Sequence, residues 1–402
     1  MDKVLLVLIF CCLSFSAFSQ DVIETAKVID TNGKTDLIDI GRSLFHIKSQ
    51  RMKSESGKNF YFSFLPLSST VPGGGKALIT STTAGFYLGP RDSTYLSTAN
   101  FAPYLNFKGR FGLPLRSSLW TENNAWNIQG DTRFLVYPQY TWGLGGNNDE
   151  QNAILVNYKY IRFYQAALKR INNVFYAGVG YNLDYHVDIS AEETSKIKSF
   201  TGYQYGAAND NNSFSSGITF NLLYDTRQNL FNPLPGTYVN VVYRYNTKAL
   251  GSQDSWQSLY LDVRKYITLT KEHKKNQLAL WGYYWTTLNA GTPYLDLPSV
   301  GWDPYNRSGR GMEQNRYRGQ GMFYFETEYR RDISRNGLFG YVLFANATSV
   351  TEAAGRNFKY INPAIGGGFR IKFNKGSDTN VAIDYGFSKG YNTFILGLGE
   401  AF

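Results

Sequence analysis

From Phe175 the chain alternates with a period of two. Odd positions read Phe175, Ala177, Val179, Tyr181, Leu183 and Tyr185, while even ones read Tyr176, Gly178, Gly180, Asn182, Asp184 and His186. Successive side chains of a β-strand point to opposite faces, so this run predicts a strand with one apolar face and one small or polar face. The pattern recurs at Ile218, Phe220, Leu222 and Tyr224 against Thr219, Asn221 and Asp225, and at Val239, Val241, Tyr243 and Tyr245 against Asn240, Arg244 and Asn246. It returns at Val381, Ile383, Tyr385 and Phe387 against Asn380, Asp384 and Gly386. Each run is about ten residues, the length at which a tilted strand crosses a bilayer. Apolar groups toward lipid and polar groups toward a wet lumen are the signature of a transmembrane barrel.

Laid end to end, such segments number about sixteen between Asn59 and Phe402, an even count that suits an antiparallel barrel. The connections near 138–152, 187–215 and 291–320 are long and fall on one rim. Those near 90–93, 169–173, 227–235, 269–275 and 334–336 are shorter and fall on the other. Long loops belong outside the cell and short turns in the periplasm. The expected fold is all-β, an antiparallel transmembrane β-barrel over 59–402.

The amino end reads differently. Lys3 precedes an apolar run from Val4 to Phe10 that continues through Cys11, Cys12, Leu13 and Phe15, and Ala17-Phe18-Ser19 offers the small residues a signal peptidase needs. Residues 1–19 are therefore expected to be a cleaved secretory signal, with the mature chain starting at Gln20. Both cysteines fall inside it, so the exported chain has no disulfide and no thiol chemistry. No later stretch has the eighteen or so consecutive apolar residues of a membrane helix. Residues 20–58 form a periplasmic arm in which Leu37, Ile40, Leu44 and Ile47 share one face of a short helix that Thr35 or Asp36 can cap. Plugging the barrel, docking a partner and serving as a half-ordered tether all fit this arm.

The 31 Tyr, 28 Phe and 7 Trp, with 39 Gly, suit strands with aromatic girdles and tight turns. The net charge of +10 survives loss of the leader, which removes only Asp2 and Lys3. In this compartment it favours anionic lipid and lipopolysaccharide headgroups over nucleic acid as partners. His46, His186 and His273 assemble no triad or metal site, so neither an enzyme nor a cofactor is expected. Pro72-Gly73-Gly74-Gly75-Lys76-Ala77 lacks the first glycine and the final Ser or Thr of a phosphate loop and reads as a hairpin turn.

Three stretches resemble the BamA/TamA family of bacterial surface-antigen barrels. Tyr224-Asp225-Thr226-Arg227, followed by Asn232-Pro233 and Gly236, is similar to the family's periplasmic turn. Gly309-Arg310-Gly311-Met312 and Arg316-Tyr317-Arg318-Gly319, with Phe325-Glu326-Thr327-Glu328 after them, resemble its sixth surface loop and the next strand. The ending from Gly366 to Phe402 is the third. The resemblance covers most of residues 216–402, and the first 215 residues match in architecture alone.

In that family the loop arginine tucks into the lumen and pairs with acidic strand residues. Here the resemblance implies a clamp of Arg310 and Gly311 with Glu326 and Glu328, which fall on the lumen side of their strand. Gly309 and Met312 depart from the family's loop motif, and Asn346 stands where an aspartate is usual, so a weaker clamp is expected. A solvated basic loop carrying Arg307, Arg310, Arg316 and Arg318 is the plain alternative.

The last segment puts Phe394, Leu396, Leu398, Glu400 and Phe402 on one face, and its terminal aromatic resembles the signal read by barrel-assembly machinery. The barrel seam would join a first strand near Asn59–Leu67 to the last, with Pro66, Gly397 and Gly399 each weakening the ladder. In family members that insert other barrels this seam opens to template an incoming strand. The arm has no room for the family's POTRA domains. The resemblance implies a part in outer-membrane protein assembly, insertion or export with separate periplasmic or outer-membrane assembly proteins. A passive channel and a structural partner barrel are the rival readings.

Overall fold

The computed structural model describes residues 33–44, 46, 60–70, 76–106, 109–201, 211–227, 232–233, 235–270, 276–304, 306–376 and 378–402, with 61–70, 76–81 and 201 as backbone only. The leader, Ile47 and His273 lie outside the described residues. The first half of the barrel comprises β1 (Phe60–Thr70), β2 (Lys76–Phe86), β3 (Ser97–Phe101), β4 (Tyr104–Leu105), β5 (Phe111–Trp120), β6 (Trp126–Val136), β7 (Gln139–Thr141), β8 (Ile154–Arg170) and β9 (Phe175–Ala191). The second comprises β10 (Ser213–Asp225), β11 (Gly236–Asn246), β12 (Trp256–Thr268), β13 (Asn276–Thr287), β14 (Gly321–Asp332), β15 (Phe339–Val350), β16 (Asn362–Asn374), β17 (Thr379–Ser388) and β18 (Tyr391–Leu398).

All eighteen segments belong to one sheet, and each strand pairing among the described residues is antiparallel. β3 and β4 share the neighbours β2 and β5, and β6 and β7 both pair with β8. Each of these pairs is one broken stave, which leaves sixteen staves among the described residues. β18 runs beside β1 with Cα atoms within 8 Å, so the sheet returns on itself. The protein is thus an all-β transmembrane barrel, and its described helices are short, none long and apolar enough to cross a membrane.

Alternation sorts the side chains as the period of two requires. Val179, Phe220, Leu222, Phe325, Leu343, Ile365 and Phe387 stand exposed on the outside, where hydrocarbon would meet them. Tyr176, Asp184, Asn221, Trp281 and Glu326 are buried on the inside. The core therefore sits in the lumen. Trp281, Tyr283, Met322 and Tyr324 form one apolar cluster there, and Tyr158, Tyr160, Ile189 and Leu297 form another.

The long connections are 142–153, 192–212 and 288–320, and they share one rim. The second is shorter than its hydrophobic pattern suggested, because β9 and β10 continue through Asp188, Ser190 and Ser213 above the apolar band. The turn expected at 90–93 spans 87–96 instead. Pro90 has no ladder donor, and the segment packs on the neighbouring turn, where the Tyr95 amide donates to Asn124 Oδ1 at 2.6 Å.

At the opposite rim helix α1 (Leu37–Leu44) precedes the barrel. Asp36 caps it, accepting from the Asp39 amide at 2.8 Å. The same carboxylate accepts from the Lys375 amide at 2.9 Å, and Lys375 Nζ donates to Asp39 Oδ2 at 2.6 Å. Thr35 adds a main-chain bond to Asn336 at 3.1 Å. These contacts fasten α1 to the turns after β14 and β16.

The final strand departs from the expected pattern. β18 stops at Leu398, and Gly399 adopts φ +83°. Glu400 and Phe402 lie buried in the lumen instead of sharing the outer face with Phe394. A carboxylate on the lipid face is costly, and the turn at Gly399 removes Glu400 from it.

Candidate functional site: a loop braced across the lumen

The connection 288–320 is the longest between the strands described. Its glycines at 291, 301, 309 and 311 all have positive φ, which lets the chain double back on itself inside the barrel. The Asp303 carboxylate takes the amides of Arg307 and Ser308 at 3.0 and 2.8 Å and ties off one of these bends. On one wall Tyr137 donates to Gln314 at 2.8 Å, and Arg133 donates to the Pro304 carbonyl at 2.6 Å and to Asn306. On the other side of the lumen the loop meets β14 and β17.

Arg310 is the centre of that second contact. Its Nε donates to Glu326 Oε1 at 2.8 Å and its Nη1 to Asp384 Oδ2 at 2.8 Å, while Nη2 bonds both Glu326 and Glu328. The guanidinium also lies 3.8 Å from the centre of the Phe344 ring. β14 presents Glu326 and Glu328 two residues apart on one face, and the register sets Asn346 of β15 opposite Glu326. Asn346 Nδ2 donates to the Arg310 carbonyl at 2.9 Å and so holds the loop backbone rather than the charge. Gly311 completes the fit, because a Cβ there would stand 2.7 Å from the Phe387 nitrogen.

Asp384 supplies a carboxylate where Asn346 has none, so three carboxylates surround one guanidinium. Asp384 also accepts from Arg370 Nη1 at 2.5 Å, and Glu328 accepts from Arg330 Nε at 2.6 Å. Arg310, Arg330 and Arg370 thus alternate with Glu326, Glu328, Asp384 and Glu400 in one buried network. Removing one partner from buried ions of this kind is costly, because it leaves an uncompensated charge. Asp384 was readable as a lumen-side residue of β17, but nothing in the chain's linear order linked it to Arg310, 74 residues before it.

The other expected site residues lie apart from the loop arginine. Pro66 sits in β1 opposite Thr80, and Gly397 sits in β18 opposite Ala382 with open space where a Cβ would go. Gly399 and Phe402 belong to the inward tail. The family-like turn is built as a pair within the motif, since Arg227 donates to Asp225 at 2.9 and 2.7 Å.

A second polar network lines the far wall. Arg133 and Arg162 share Asp131, and Arg244 pairs with Asp184 at 2.5 Å. His186 stacks on Tyr160 at 4.4 Å, and its Nδ1 is 3.7 Å from Asp296 of the loop. Burial pushes the Asp296 carboxyl up to about 7, with the Asp184 charge adding to the shift. No group of three His, Cys, Asp or Glu suited to a metal occurs among the described residues.

This architecture defines a class, transmembrane barrels of sixteen staves whose lumen is occupied by an arginine-anchored loop. Among solved structures the chain is similar to BamA from Haemophilus ducreyi lacking POTRA domains 1–3, with a TM-score of 0.52 and 13% identity over 85% of this chain and 69% of that one. It is also similar to CdiB from Acinetobacter baumannii (TM-score 0.56, 12% identity, 85% of this chain and 59% of that one). CdiB from Escherichia coli matches with a TM-score of 0.53 and 10% identity over 85% of this chain and 62% of that one. The chain therefore has the fold of these barrels and spans about six tenths of each CdiB chain. No family model matches the sequence, and neither does any curated protein.

Proposed function

We propose that this chain is an outer-membrane barrel of the BamA/TamA kind that takes part in assembling, inserting or exporting other proteins, together with separate periplasmic partners. The observation that carries the reading is the loop clamped by Arg310 on Glu326, Glu328 and Asp384 inside a barrel with the fold of BamA and CdiB. A passive pore needs an open lumen, whereas here loop residues bond to walls on both sides of it. Export by a leader cleaved before Gln20 accords with the outer apolar belt, and amino-terminal sequencing of the mature protein checks it. The net charge of +10 suits contact with anionic lipopolysaccharide at the rim.

Depletion followed by quantitative proteomics of the outer membrane tests the proposal. A broad fall in other barrels, or loss of one exported protein, is the expected result. An unchanged set of barrels and exported proteins with altered uptake of small solutes would overturn it in favour of a channel.

A further inference from the structure

Where the 288–320 loop meets the wall formed by β5 and β6, cations hold neutral oxygens. Arg133 of β6 donates through Nη2 to the Pro304 carbonyl at 2.6 Å and through Nη1 to Asn306 Oδ1. Arg116 of β5 reaches the same Asn306 oxygen through Nη2 at 3.1 Å. Two guanidiniums thus converge on one uncharged amide oxygen. The Asn306 amide nitrogen is turned the other way and donates to the Gly301 carbonyl at 2.9 Å.

The wall behind them is short of negative charge. Asp131 is shared by three arginines, Arg133 at 2.5 Å, Arg162 at 3.3 Å and Arg116 at 3.8 Å. Arg162 also leans on Asp184 at 3.7 Å, but that carboxylate pairs with Arg244 at 2.5 Å. Water reaches the cluster, since the Arg116 side chain is 27% exposed. Toward the rim that carries α1 the approach is polar, with Gln129 bonded to Asn127 at 2.7 Å and Asn127 to Ser118 at 3.1 Å.

A guanidinium bonds a carboxylate more strongly than an amide oxygen, because both partners are then charged and two parallel bonds can form. The oxygens now gripped are a main-chain carbonyl and, two residues on, a side-chain oxygen. An aspartate in place of the asparagine presents the same pair with the charge that the wall lacks. We propose that Arg116 and Arg133 form a binding site for an acidic segment of polypeptide, which the loop occupies with Pro304 and Asn306 when no such segment is present. An acidic segment that takes these arginines frees the loop from β6, while Arg310 keeps its hold on β14 and β17. The site needs only the barrel and its loop, not an assembly role.

The probes are acetyl-Pro-Tyr-Asp-amide and acetyl-Pro-Tyr-Asn-amide, added to the full chain folded in detergent. The tethered loop competes at an effective concentration in the millimolar range, so the peptides are used at or above that level. Calorimetric titration should show the Asp peptide binding about tenfold more tightly than the Asn peptide, the difference expected between charge-assisted and neutral hydrogen bonds. With the Asp peptide, amide exchange should quicken over 301–308 and stay unchanged over 310–312. Arg116→Gln should abolish the preference for the Asp peptide. Equal binding of the two peptides would overturn the proposal. So would release of 301–308 by inorganic phosphate at matched ionic strength but not by the Asp peptide, which would make this a site for free phosphate. Should Arg116→Gln fail to fold, the comparison of the two peptides on the wild type decides alone.

Discussion

At the scale of single residues, Asn346 separates two accounts of the clamp. If it merely lacks a charge, Asn346→Asp should strengthen the site. The geometry argues the reverse, because the amide donates to the Arg310 carbonyl and a fourth carboxylate would face that oxygen among three others. Asn346→Asp is expected to lower stability by about 1–3 kcal/mol in denaturant unfolding. Asp384→Ala should cost more, about 3–5 kcal/mol, since Arg310 and Arg370 both lose a buried partner. Asp296 gives a pH dependence of definite sign. Its folded carboxyl titrates about 7, above the ordinary 3.8, so its contribution is full below about 3.8 and is lost as pH rises through 7. Melting of the wild type between pH 4 and 8 should show this fall, and Asp296→Asn should remove it.

Elements fit one another here through glycines and through one lysine. A Cβ on Gly386 of β17 would stand 2.8 Å from the Gly311 nitrogen, a clash between two backbones that neither can relieve. Gly386→Ala should lift the loop and expose it to trypsin between Arg307 and Arg318, while Gly397→Ala, which meets nothing within 4 Å, should leave the digest unchanged. Lys375→Ala should free α1, read as faster amide exchange over Leu37–Leu44. The strands themselves were legible, because a period of two with lipid outside leaves little freedom in assigning faces. The end of β18 was not. Alternation alone carried Glu400 and Phe402 along the outer face, and only the arginines contributed by β14, β16 and the loop show why the chain turns inward.

For the whole molecule, the number of staves and the long-loop rim followed from segment counting, since an antiparallel barrel allows no other parity. What the loop does inside the barrel depended on residues far apart in the chain, Arg133 and Asp384 among them, and no local pattern brings them together. The occupied lumen predicts small single-channel conductance in planar bilayers for the wild type. Asp384→Ala and Gly386→Ala should raise it if they unseat the loop, and large steady conductance in the wild type would contradict the braced lumen.

The position of that loop also bears on mechanics. A cylinder of strands embedded in a fluid bilayer is squeezed from the side and deforms most easily by flattening into an ellipse. A segment anchored on β6 at one end and on β14 and β17 at the other acts as a spoke, resisting flattening along its own direction while leaving the perpendicular one free. Lateral stress on such a wall would be relieved at staves the spoke does not touch, and β1 and β18 share one such stretch of the circumference.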